Sequence, residues 1–217
     1  MIQQVMQPEI MAFLYRGLLT TLYIAVVSIA LSFIFGTILG IMRFSRNKIL
    51  APISAVYIEI VRNIPLLLFI LVMFFISRMK AVDSAIAGLT VFTSAIIAEI
   101  VRGGLNSIDK GQWEAAHSQG LSYFQIMRHI ILPQAIRHMI PPLVSQFITV
   151  VKDTSFVWYI AGEDLTGRGM IILGKYGSST TVVFALFGLI ALTYFVINYS
   201  LSILARYLQR RLAGRSY

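Results

Sequence analysis

Three pairs of opposite charge interrupt otherwise apolar stretches of the sequence: Glu59 with Arg62, Glu99 with Arg102, and Lys152 with Asp153. The members of the first two pairs stand three apart and so share one face of a helix. An ionisable side chain at the centre of a bilayer costs about 2.5–3.5 kcal/mol, so charges in such surroundings need a reason. One reason is chemical. A zwitterion carries a carboxylate that suits an Arg and an ammonium that suits a carboxylate. Glu59 with Arg62, and Lys152 with Asp153, offer both, and Asn63, Thr154 and Ser155 add neutral hydrogen bonds. The other reason is structural: each pair neutralises itself or pins neighbouring helices together. The residue types leave both readings open. Disulfides, thiolate catalysis and cysteine-ligated zinc are excluded, since the chain has no cysteine. His117, His129 and His138 lack the spacing of a metal motif. No catalytic residue and no metal site is expected.

The elements that must position these charges follow from composition. The chain has 217 residues, 58% hydrophobic and 12% charged, with mean hydropathy +0.80. A soluble domain runs at about 45–50% apolar and about 25% charged. Such a surplus of apolar residues cannot be hidden in one core of this size, which excludes a soluble enzyme, a disordered chain and a fibrous one. What remains is an all-α integral membrane protein. At about 20 residues per crossing there is no room for a large soluble domain beside the spans.

Splitting the chain at its charges predicts five transmembrane helices, at about 17–42, 50–77, 84–102, 139–162 and 176–205. If the second enters at Leu50, Glu59 lies about 13 Å deep at 1.5 Å per residue, near the centre of a core about 30 Å thick. Alternate loops differ in charge. One set holds Arg43, Arg46 and Lys48, then Arg102, Lys110, Arg128 and Arg137, then Arg206, Arg210, Arg211 and Arg215. The other holds Arg16, Arg78, Lys80, Arg168 and Lys175 beside the acids Glu9, Asp83, Glu163 and Asp164. The more basic set belongs in the cytoplasm, which puts the N-terminus outside and the C-terminus inside. The net charge of +9 is thus mostly a matter of orientation, and no nucleic acid partner is expected. Ser28, Ser32, Gly36 and Gly40 recur every four residues and are read as a helix-packing stripe.

The segment 103–137 is the one long polar stretch on the cytoplasmic side. Asp109 can cap a helix with Gln112 at the capping-box position, Gly120 is a natural stop, and Ser122 with Gln125 can open a second helix. Pro133 follows the expected end of that helix. Glu114, Ala115 and Ala116 leave one face of the first helix nearly bare, suited to a partner's groove, and Trp113 beside it is an anchor of the hot-spot type.

The run Glu114-Ala115-Ala116, Gly120, Ile130, Leu132, Pro133 resembles the EAA motif of bacterial ABC importer permeases at each position and in both spacings. Tyr57-Ile58-Glu59 with Arg62 and Pro65, Ala98-Glu99 with Arg102-Gly103, and Lys152-Asp153-Thr154-Ser155 resemble the polar amino acid branch of that family. The resemblance covers about residues 15–212. It implies a single transmembrane domain of five spans over 1–217, with 103–137 as the coupling loop, in the bacterial cytoplasmic membrane. It also implies a second permease subunit, two cytoplasmic ATPase subunits that bind ATP and magnesium, and an external binding protein that delivers an amino acid. The EAA helix would dock in a cleft of the ATPase. The chain contains no phosphate-binding loop of the G-x-x-x-x-G-K-[ST] type, so ATP chemistry must come from partners.

The function so implied is translocation of a polar amino acid by alternating access, driven by ATP bound elsewhere. Two other readings stand beside it. An ion-coupled secondary transporter would use Glu59 or Asp153 as its proton carrier but leaves the EAA segment unexplained. A non-transporting membrane scaffold explains a docking helix but not the costly charges.

Overall fold

A computed structural model of the chain describes residues 6–45, 47–177 and 179–213. Arg46, Ser178 and Arg215 lie outside the described residues, as do the side chains of Arg210 and Arg211. The helices are α1 (Pro8–Phe44), α2 (Leu50–Arg62), α3 (Leu66–Ser77), α4 (Ala81–Asn106), α5 (Lys110–Ser118), α6 (Tyr123–Ile126), α7 (Leu132–Asp153), α8 (Leu165–Tyr176) and α9 (Thr180–Ala213). A π-turn, Met127–Ile131, joins α6 to α7, and a 3₁₀ stretch, Thr154–Ile160, follows α7. Among the described residues α1, α4 and α9 are long and apolar enough to cross a membrane. The pair α2 and α3 qualifies as a further, broken span.

Three elements depart from the sequence reading, each for a physical reason. The single span expected over 50–77 is two helices. Pro65 stands before α3 with φ −59° and ψ 136°; proline lacks an N–H and steers its predecessor away from helix. Path length along an unbroken span therefore no longer measures the depth of Glu59. In the stretch read as a span at 139–162, the helix begins earlier, at Leu132, and beyond Asp153 the chain winds as 3₁₀ helix until Ala161 turns left-handed at φ 54°. Pro141 and Pro142 lie inside α7, where the Ser145 hydroxyl donates to the Pro141 carbonyl at 3.1 Å. The stretch 163–175, read as an external loop, is largely helical, as α8.

The chain divides into two compact units. The first contains the residues up to Leu31, Pro65–Phe92 and Phe147–Leu201. Its described residues include two buried apolar clusters. Ile10, Leu14, Leu165, Ile172, Val182, Leu186 and Ile190 make one; Ile24, Leu66, Ile70, Ala85, Leu89, Val157 and Ile160 make the other. The second unit contains Ser32–Ile64, Thr93–Gln146 and the residues from Ser202 on. There the small-residue stripe of α1 lies against α4. A Cβ at Gly36 would come within 2.6 Å of Ile97 Cβ, and one at Gly40 within 2.7 Å of the Ala98 carbonyl oxygen. The stripe is thus a packing surface for a helix of the same chain. The Tyr57 and Ser94 hydroxyls, 3.0 Å apart, tie α2 to α4.

Candidate functional site

The EAA segment lies in the second unit. Asp109 is extended (φ −56°, ψ 139°), and its carboxylate accepts from the Gly111 N–H at 2.6 Å, opening α5. At the far end Gly120 sits at φ 76°. The Gly120 N–H donates to the His117 carbonyl at 2.9 Å and the Leu121 N–H to the Ala116 carbonyl at 3.3 Å. This is the paired closure that a left-handed glycine permits. Trp113 stacks on Tyr123 with ring centres 5.7 Å apart, bracing α5 against the next turn. Glu114 and Ala115 are exposed. Ala116 is not part of that bare face: it is 3% exposed and packs inward.

Downstream, the Ser122 N–H donates to Gln125 Oε1 at 2.8 Å, as expected for a helix opening. The helix does not stop before Pro133, however. It continues through the π-turn into α7, with Pro133 in its first turn. A proline ring collides with the carbonyl four residues back in a regular helix, and a wider π-turn just before it relieves that crowding. Gln134 Nε2 donates to the Ile130 carbonyl at 2.8 Å. Ile126, Ile131 and Ala135 are fully buried and fix the segment to its unit, while Ile130 is half-buried and Leu132 and Pro133 are exposed. The result is a short helix held at both ends, with Glu114 and Ala115 facing outward.

The charged residues arrange themselves differently from their order in the sequence. No ion pair joins Glu59 to Arg62 among the described residues; both are exposed, and Asn63 Nδ2 donates to the Glu59 carbonyl at 2.7 Å. Arg102 does pair with Glu99. Its Nε lies 3.1 and 3.0 Å from the two carboxylate oxygens, and its Nη2 also bonds Oε1. Arg62 and Glu99, from the two Glu-Ile-Val-Arg strings, line one cavity of about 330 Å³ together with Ser107 and His138. Thus Arg62 is brought to the second charged pair rather than held by the first.

In the first unit, Lys152 and Ser155 line a cavity of about 320 Å³ with Thr166 and Tyr194. Asp153 is half-buried. Thr154 is fully buried and donates to the Val151 carbonyl at 2.8 Å.

One cluster escaped the sequence reading. Asp164 is fully buried. Its carboxylate accepts from the Gly167 N–H at 2.8 Å, the Thr166 N–H at 3.2 Å and the Tyr194 hydroxyl at 3.3 Å. The Leu165 N–H donates to Thr21 Oγ1 at 3.0 Å. Burial pushes the Asp164 carboxyl above its ordinary value, and the two backbone N–H groups and the tyrosine pull it partly back. Arg168 holds the same corner, bonding the Phe13 carbonyl at 3.0 Å and pairing with Glu163 at 3.1 Å. The sequence signal was an aspartate ahead of a dozen residues with apolar positions seven apart, Leu165 and Ile172; Gly167, Gly169 and Gly174 obscured it as a helix.

With this geometry described, comparison with known proteins identifies the class. Residues 28–214 match the family of binding-protein-dependent transport system inner membrane components, and the chain belongs to that family. Its relatives are permeases of ABC transporters. It is 48% identical over 208 residues to the "Probable glutamine ABC transporter permease protein GlnP" of Bacillus subtilis (strain 168), covering 94% of this chain and 95% of that protein. It is 34% identical over 215 residues to the "Glutamate/aspartate import permease protein GltK" of Escherichia coli O157:H7, covering 93% and 94%. Among solved structures, a chain from the crystal structure of an amino acid ABC transporter with histidines superposes with a TM-score of 0.86 at 30% identity, covering 94% and 95%. A chain of the inward-facing MetNI methionine ABC transporter superposes at 0.77 with 23% identity, a likeness of fold.

Proposed function

We propose that the chain is the permease subunit of an ATP-driven importer for a polar amino acid of the glutamine–glutamate class, working by alternating access in the bacterial cytoplasmic membrane. The observation that carries this is near-full-length identity of 48% to a probable glutamine permease. The EAA helix, capped at Asp109 and stopped at Gly120, supports it. Five spans are counted when α2 with α3 is taken as one and α7 with its 3₁₀ extension as another. The N-terminus lies outside, and residues 103–137 and the C-terminus inside. Two ATPase subunits carrying ATP and magnesium dock at Trp113, Glu114, Ala115 and the exposed Leu132–Pro133 edge. A second permease subunit completes the pathway, and an external binding protein delivers cargo. The chain itself catalyses nothing. Cargo is contacted by Glu59, Arg62 and Asn63 and by Asp153, Thr154 and Ser155.

Reconstitution with its ATPase and binding protein tests the reading. Uptake of labelled glutamine or glutamate that requires ATP supports it; uptake that follows a proton or sodium gradient without ATP, or none, overturns it. Orientation is tested with single cysteines. Ser84, fully buried, is a poor reporter. Met79→Cys should label from outside and Lys110→Cys from inside, and the reverse pattern would sink the topology.

A further inference from the structure

The geometry points to a release-side amino acid site in the cavity between α2, α4 and α7, where Arg62 takes the α-carboxylate and Glu99 with His138 takes the α-ammonium. This inference rests on the proposed function for its orientation and cargo class, but it names a place that the EAA segment and the Lys152–Ser155 run do not touch. Three observations carry it. First, an open surface cavity of about 330 Å³ brings Arg62, Glu99, Ser107 and His138 onto one lining. Arg62 forms no ion pair with Glu59, so its planar fork is open to a carboxylate.

Second, among the described residues the Glu99 carboxylate accepts from Arg102, through Nε and Nη2. A carboxylate has about four acceptor positions, and the remaining ones suit an ammonium. The mixed sign favours a zwitterion. An inorganic or lipid phosphate could use Arg62 but, having no ammonium to donate, not the acceptor positions that Arg102 leaves on Glu99.

Third, the tautomer of His138 follows from its neighbour. Ser107 Oγ lies 2.8 Å from the Gly104 carbonyl and 2.6 Å from His138 Nδ1. A hydroxyl has one proton. Gly104 stands in the last turn of α4, where carbonyls lack a helical partner, so that proton goes to Gly104. Ser107 Oγ then accepts from Nδ1–H, which is the tautomer whose Nε2 offers a lone pair to a second ammonium proton. Ile100 and Pro142 line the cavity with apolar surface against which the aliphatic part of a side chain can rest.

The test needs no transport activity. Gly103 lines the cavity, and a Cβ added there meets nothing within 4 Å; the chain has no other thiol. In the full complex in nanodiscs, without binding protein, L-glutamine should slow maleimide labelling of Gly103→Cys by about three-fold or more. Glutamine α-amide, N-acetylglutamine and inorganic phosphate should not. Adding Arg62→Met or Glu99→Gln should abolish the protection, while Lys110→Cys labels at the same rate with or without glutamine. Protection that survives Arg62→Met, or that phosphate or the α-amide gives equally, overturns the site. Should Gly103→Cys fail to assemble, Ile96→Cys, at another lining position, is the reporter, with protection by glutamine and its loss in Arg62→Met read in the same way. ATP-driven glutamine uptake by the unmodified complex is measured alongside: uptake without protection removes this site alone, and absent uptake removes the functional reading beneath it.

Discussion

Two short helices in this protein open in the same way and serve opposite ends. Both α5 and α8 follow an aspartate whose carboxylate accepts backbone N–H groups, Asp109 from Gly111 and Asp164 from Gly167 and Thr166. Helix α5 buries only Ala116, whereas α8 buries Leu165, Gly167, Gly169 and Ile172. Asp109 is exposed and Asp164 fully buried. A cap in water competes with solvent for the same donors; a buried cap is the donors' only acceptor. The first fixes the start of a surface helix, the one proposed above to meet the ATPase. The second fixes a helix against its own unit.

That contrast can be broken by substitution. The largest effect is expected at Asp164→Ala. It leaves the Thr166 and Gly167 N–H groups without their side-chain acceptor in a buried place, at about 1–3 kcal/mol for each unsatisfied group, and leaves the Tyr194 hydroxyl with Thr166 Oγ1 at 3.2 Å as its neighbour. A loss near 3 kcal/mol in denaturant unfolding of the purified chain is the expected result, with partial recovery in Asp164→Asn, which restores one acceptor oxygen. A loss below 1 kcal/mol would mean that water replaces the carboxylate and that the two caps are alike.

Next comes Gly120→Ala. An added Cβ meets nothing within 4 Å, so the cost is that of left-handed backbone alone, about 1–2 kcal/mol. Stability should fall modestly while ATP-driven uptake per assembled complex falls much further, because a helix that runs on re-aims Glu114. Gly120→Asn should keep more uptake than Gly120→Ala, since asparagine tolerates this conformation. Equal uptake in both variants and the unmodified chain would remove α5 from coupling.

Asp109→Ala should be milder, about 1 kcal/mol, and Asp109→Ser should restore most of it. Co-purification of the ATPase is the readout that sharpens the contrast: it should weaken in Asp109→Ala and stay unchanged in Asp164→Asn once complexes are matched for amount.

The smallest effect concerns pH. Burial raises the Asp164 carboxyl above its unfolded value. Its folded state therefore favours the proton, so this contribution is present at acid pH and is lost as pH rises through the shifted value. Relative to the non-titrating Asp164→Asn, the native chain should gain melting temperature as pH falls from neutral toward the ordinary carboxyl range. A gap that narrows on acidification would mean that the hydrogen bonds to the ionised form outweigh its burial.

The sequence by itself determined what depends on composition and on near neighbours. Membrane embedding follows from apolar surplus, since no core of this size could absorb it. The start and stop of α5 follow from Asp109 and Gly120, since caps act over three or four residues. The identity of the EAA segment follows from fixed spacings. Tertiary structure decided what depends on distance. Glu59 and Arg62 are neighbours on a helix yet do not pair, because Asn63 and Pro65 end that helix and Arg62 is set beside Glu99 instead. Pro133 ends no helix, because a π-turn makes room for its ring. Asp164 reads as a loop acid and is a buried cap, because the groups that accompany it, Thr21 and Tyr194, come from the far ends of the chain. Periodicity and capping are local, and the satisfaction of a buried charge is not.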